Sequence, residues 1–146
     1  MGVIYNLFDV VGRILIAVMF LQSGLGKLGS HAAARHYMAA QGVPSILLLL
    51  VIILEVAGSI AIILGWTTRL FALILAGFCI VAALLFHSNF ADQMQAIMFL
   101  RNISIAGGFL IVFARGAGGF SLDGKWGKPG NPNIDLDPSL WKRSKG

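Results

Sequence analysis

Residues 44–65 read PSILLLLVIILEVAGSIAIILG, an almost unbroken run of Leu, Ile, Val and Ala with one carboxylate, Glu55, near its middle. At ~1.5 Å per residue a helix of this length covers about 30 Å, the thickness of a bilayer's hydrocarbon core. Glu55 would then lie about 15 Å from either surface, by the same rise per residue. A carboxylate at that depth costs a few kcal/mol or more unless it is neutral, hydrated or paired. The rest of the chain must therefore offer it a partner, and the isolated charge in the first apolar run, Arg13, is the first candidate.

Working outward, three further runs have the ~20 residues of a spanning helix. They cover about 7–26, 68–86 and 95–114. The last is interrupted by Arg101 and Asn102, which are expected to face the interior of a bundle. Of the 146 residues 58% are hydrophobic and 12% charged, about half the usual charged share of a soluble domain. The expected fold is therefore all-α: an integral membrane four-helix antiparallel bundle over residues 1–116. An extended, non-globular C-terminal tail is expected over 117–146, where Pro129, Pro132 and Pro138 stand among Gly, Asn and Asp.

Short connections at 65–69 and 87–92 force antiparallel neighbours. The longer link between the first two spans contains AAARHYMAA (32–40), rich in helix formers and read as a short surface helix. Asp123-Gly124 in the tail suggests a small turn. The first run lacks the basic leader of a signal peptide and is read as a mature span.

The net charge of +5 is not gathered in one run, so nucleic acid is not an expected partner. Arg69, Arg115, Lys125, Lys128, Lys142, Arg143 and Lys145 outnumber Lys27 and Arg35 on the opposite side, which places both termini in the cytoplasm. Tyr5, Trp66 and Trp126 then suit the cytoplasmic interface. The single cysteine, Cys79, excludes an intrachain disulfide and reads as a small buried hydrophobe.

Helical spacing places Arg13, Ala17, Phe20, Gly24 and Lys27 on one face, Glu55, Gly58, Ser59 and Ile62 on another, and Arg101, Ser104, Ile105 and Gly108 on a third. Small residues on these faces allow close helix approach. Two polar layers result. Arg13 and Glu55 form an expected intramembrane ion pair in the cytoplasmic half, either a structural register lock or a binding or proton-handling site. Lys27, His87, Arg101 and Asn102 form an expected ligand site near the outer mouth, below His31, Arg35 and His36. Two cations there suit an anion, a quinone carbonyl or a lipid phosphate. The bland alternative is that Lys27 snorkels and Arg101 bonds backbone carbonyls. No metal site is expected: the chain has no His/Cys cluster at zinc spacing and no second axial ligand for a bis-histidine haem. An electron carrier would have to be a membrane quinone or a partner's cofactor, since no covalently bound cofactor is expected.

Arg13 followed by FLQSGLGKL (20–28), LEVAGSIAIILGWTTRLFA (54–72), His87, FLRNISIAGG (99–108) and GGFSLDGKW (118–126) resembles the DoxX family of small bacterial membrane proteins. The resemblance extends to about Trp126. It implies a four-helix bundle in the bacterial inner membrane. The family takes its name from a small subunit of an archaeal thiosulfate:quinone oxidoreductase, and other members are linked to redox homeostasis or respiratory complexes. The resemblance thus implies a quinone-facing subunit of a respiratory or oxidoreductase complex. The alternatives are a non-catalytic accessory or assembly subunit, with 126–141 docking on the partner, and a small carrier or channel that would require a homo-oligomer.

Overall fold

The computed structural model describes residues 2–126. The order is α1 (Gly2–Gly29), α2 (His31–Ala40), α3 (Leu47–Leu64), α4 (Thr68–Phe86), α5 (Gln93–Arg115) and α6 (Leu122–Trp126). Helices α1, α3, α4 and α5 are each long and apolar enough to cross a membrane. They run alternately up and down, with α1 against α3 and α4 against α5 as the two closest pairs. Helix α1 starts five residues before the first apolar run drawn from the sequence, because Gly2–Asn6 continue the helix past polar Asn6.

Each turn has a local cause. Helix α3 stops at Gly65, whose φ of +71° is left-handed, and Trp66 N donates back to Ala61 O at 2.9 Å. Helix α4 then starts from Thr67 and Thr68, whose orphan backbone N–H groups are capped from afar. Asp123 Oδ1 accepts from Thr67 N (2.7 Å), and its Oδ2 accepts from Thr68 N (2.9 Å) and Thr68 Oγ1 (2.8 Å). Helix α5 has its own N-cap in Asp92, which accepts from Met94 N at 2.8 Å.

That remote cap corrects the expected boundary of the tail. Residues 117–126 are not extended; they fold back under the bundle. Gly116 and Gly118 adopt positive φ and turn the chain. Gly119 N then donates to Asn6 Oδ1 (3.1 Å) and Asp123 N to Gly65 O (2.8 Å). Asp123-Gly124 belongs to α6 rather than to a hairpin turn. Residues 127–146, and with them the expected extended tail and most of the expected docking segment, lie outside the described residues.

The core is built on small residues facing large ones. Ala17, Ala72, Ala76, Cys79 and Ala106 are buried around Phe20, Ile62, Leu75 and Phe109. Phe20 and Phe109 meet edge to face at 5.4 Å between centroids, joining α1 to α5. A second cluster, Met38, Leu48 and Ile52, packs α2 onto α3. In a bilayer the outward Leu, Ile and Val side chains face lipid, so close packing of such small-residue seams is what holds the helices together.

Candidate functional site

The two buried charges find different partners from the one expected. Arg13 does not pair with Glu55. Its Nη1 donates to the backbone carbonyls of Ile62 (3.1 Å) and Ile63 (3.2 Å), and its Nη2 to Phe120 O (2.7 Å). These acceptors belong to the last turn of α3 and the folded-back segment after α5. Since α1 and α3 are antiparallel, the residue opposite Arg13 is Ile62, and Glu55 lies opposite Gly24. Gly24 is about 16 Å from Arg13 along α1 at the helical rise.

Glu55 pairs instead with Lys27. Nζ donates to Oε1 at 2.8 Å and to Oε2 at 2.7 Å. Its third bond goes to Ser23 Oγ (2.7 Å), one turn back on α1, and the Ser23 hydroxyl donates to Oε1 at 3.3 Å. The ammonium therefore has all three hydrogens engaged. Gly24 makes this possible, because a Cβ there would stand 2.7 Å from Val56 Cγ2 and 3.2 Å from Glu55 Cβ. Without that side chain α1 lies against α3, and Lys27 reaches a carboxylate that is only 4% exposed.

The pair forms one wall of a chamber of about 220 Å³. Phe20, Phe78, Phe86, Tyr37, Met38 and Leu48 supply most of the remaining wall. Tyr37 of α2 stacks on Phe86 at 5.7 Å, so the short helix joins the wall of the chamber. Lys27, His87, Arg101 and Asn102 all line this one space, together with Glu55. The pocket is not doubly positive as expected: Glu55 offsets Lys27 and leaves one net charge, on Arg101.

The remaining polar groups differ in how far they are occupied. His87 Nδ1 lies 2.7 Å from Gln95 Oε1. With this amide orientation Nδ1 carries the proton, and Nε2 has no bond among the described residues. Asn102 Nδ2 donates to Met98 O at 2.9 Å, while its Oδ1 has no bond among the described residues. The exposed guanidinium of Arg101 has none either. Asp92, in the short connection before α5, is spent on the α5 cap. The chamber thus offers donors, an imidazole and a carboxylate to a mostly apolar guest. Among the described residues no three His, Cys, Asp or Glu side chains gather as a metal would require.

Ser23, Gln95, Tyr37, Phe78 and Phe86 do not stand out in the sequence. Ser23 was accessible in principle, being four residues before Lys27 and so on its face. The aromatic wall was not, since Phe in an apolar span carries no mark of what it faces.

Comparison with known proteins adds to this geometry. The DoxX family model matches residues 8–88, which contain Arg13, Lys27, Glu55 and His87. Inner membrane protein YqjF of Escherichia coli (strain K12) is 46% identical over 113 residues, 77% of this chain and 87% of its own length. Inner membrane protein YphA of the same organism is 31% identical over 120 residues, 77% of this chain and 86% of its own. No solved structure gives a significant match.

Proposed function

The chain belongs to the DoxX family of inner-membrane proteins, and from that premise we propose that its chamber holds the oxygen-bearing ring of a membrane quinone or quinol. The observation that carries this reading is the chamber itself: a mostly apolar, aromatic-walled space into which Arg101, His87, Asn102 and the Lys27–Glu55 pair converge. An apolar protein cavity of about 150 Å³ accepts benzene, so 220 Å³ suits one substituted ring. Arg101 and Asn102 supply donors for a ring oxygen, and His87 Nε2 can accept a quinol hydroxyl's proton or return one. The protein's part is to bind and orient the ring as a subunit attached to a respiratory or oxidoreductase complex. The Lys and Arg distribution supports both termini being cytoplasmic.

The test is purification with native lipid followed by extraction and quantification of quinone. Arg101→Ala and His87→Ala should each lower retained quinone by up to about tenfold, the loss of one hydrogen bond to a charged or polar donor. Undiminished retention in folded variants would remove the reading. A large stoichiometric partner recovered without quinone would favour the accessory-subunit role instead.

A further inference from the structure

At the end of the bundle away from the chamber, a groove of about 290 Å³ runs between α1 and α5. Its walls are Ile16, Gly108, Ile111 and Val112 on the apolar side, and Asp9, Arg13 and Arg115 on the polar side. Two features here are not explained by the fold. Arg13 is 3% exposed, yet its Nε has no hydrogen-bond partner among the described residues. A buried N–H left without an acceptor costs about 1–3 kcal/mol, and no described residue supplies one to Arg13 Nε. The charges are also unbalanced, with two guanidinium groups against one carboxylate. The Arg115–Asp9 pair is long at 3.5 Å, and Arg115 remains largely exposed.

We propose that this groove is a binding site for one anionic phospholipid. Its phosphodiester lies against the exposed Arg115 and balances the charge of Arg13 buried beneath the groove, and an acyl chain follows Ile16, Gly108 and Ile111. Charge selects the occupant: an anionic diester balances the excess arginine, whereas a zwitterionic lipid brings its own cation to the same place. The apolar half of the groove separates a lipid from free phosphate, which has nothing to lay along α5. Arg115 is the last residue of α5 and Arg13 lies deeper on α1, so charge and acyl contacts are ordered as they are in a lipid. This site is independent of the chamber and of what the chamber binds.

The experiment is native mass spectrometry of the full chain taken from vesicles of phosphatidylcholine with an equal share of phosphatidylglycerol. One phosphatidylglycerol per chain should be retained in preference to phosphatidylcholine. Arg115→Gln should lower that retention about fivefold, the usual worth of one basic side chain at an anionic lipid surface. Gly12→Leu should do the same by filling the groove, whose wall it shares and where a Cβ meets nothing within 4 Å, with an unchanged thermal unfolding midpoint checking that the bundle is intact. Lys125→Gln, outside the groove, should change nothing, and excess inorganic phosphate should not displace the lipid. Equal retention of both lipids overturns the proposal. So does indifference to both groove variants, an equal loss in Lys125→Gln, or displacement by inorganic phosphate.

Discussion

At the scale of the residue, the decisive group is Glu55. A lone carboxylate in an apolar run makes the need for a partner legible in the sequence, but not the partner's identity. Sequence gives depth along a helix only from where apolar runs begin. Register is set by packing, with Gly24 of α1 lying against Glu55 and Val56 of α3, and that sets Lys27 rather than Arg13 level with the carboxylate. Nor does sequence show backbone acceptors, and Arg13 uses three of them. The pairing has a measurable consequence. Lys27→Met leaves a nearly buried carboxylate with one weak hydroxyl bond. It should cost about 2–3 kcal/mol, below the full cost of breaking a buried pair because Lys27 is 29% exposed. Glu55→Leu together with Lys27→Met should cost less than Lys27→Met alone. Thermal unfolding of these two variants and of Glu55→Leu alone in one detergent gives the cycle, and additive losses would show that the two side chains act separately.

At the scale of the element, the long helices are visible because a bilayer demands long apolar runs, and the short α2 because its helix formers stand between two breaks. Residues 117–126 mislead for an equally physical reason. Their glycines look like an unstructured tail by composition, but Gly116 and Gly118 are what allow the chain to turn back and place Asp123 at the start of α4. Asp123→Ala should therefore cost about 1–2 kcal/mol, as loss of a helix cap does, and should loosen a helix more than fifty residues away in sequence; amide exchange at Thr67 and Thr68 reads it directly. The α1–α3 seam provides a second contrast. Gly24→Leu must push α1 off Val56 and Glu55, and should cost about 1–3 kcal/mol. Gly26→Ala meets nothing within 4 Å and should be neutral or stabilising by up to about 1 kcal/mol. Equal effects at the two glycines would mean that α1 does not rest on α3 as described.

At the scale of the whole molecule, the two polar ends are unlike. One end carries Arg69, Arg115 and Lys125, with Arg115 near Asp9; the other carries Lys27, Arg35 and Arg101, with Lys27 paired to Glu55. In the sequence Lys128, Lys142, Arg143 and Lys145 follow the first of these ends, and cytoplasmic segments are where such an excess of Lys and Arg accumulates. If the termini are cytoplasmic, four crossings put α2, the α4–α5 connection and the mouth of the chamber on the opposite side. The natural chain makes this easy to test, because its single cysteine, Cys79, is fully buried and should give no background labelling. Ser30→Cys and Lys125→Cys each place a thiol at an exposed position on opposite ends. In intact cells with a permeabilised outer membrane, an impermeant maleimide should label the Ser30→Cys variant and spare Lys125→Cys until the inner membrane is opened. The reverse pattern would invert the molecule and move the chamber to the cytoplasmic half, where any ring bound in it would exchange protons with the cytoplasm instead.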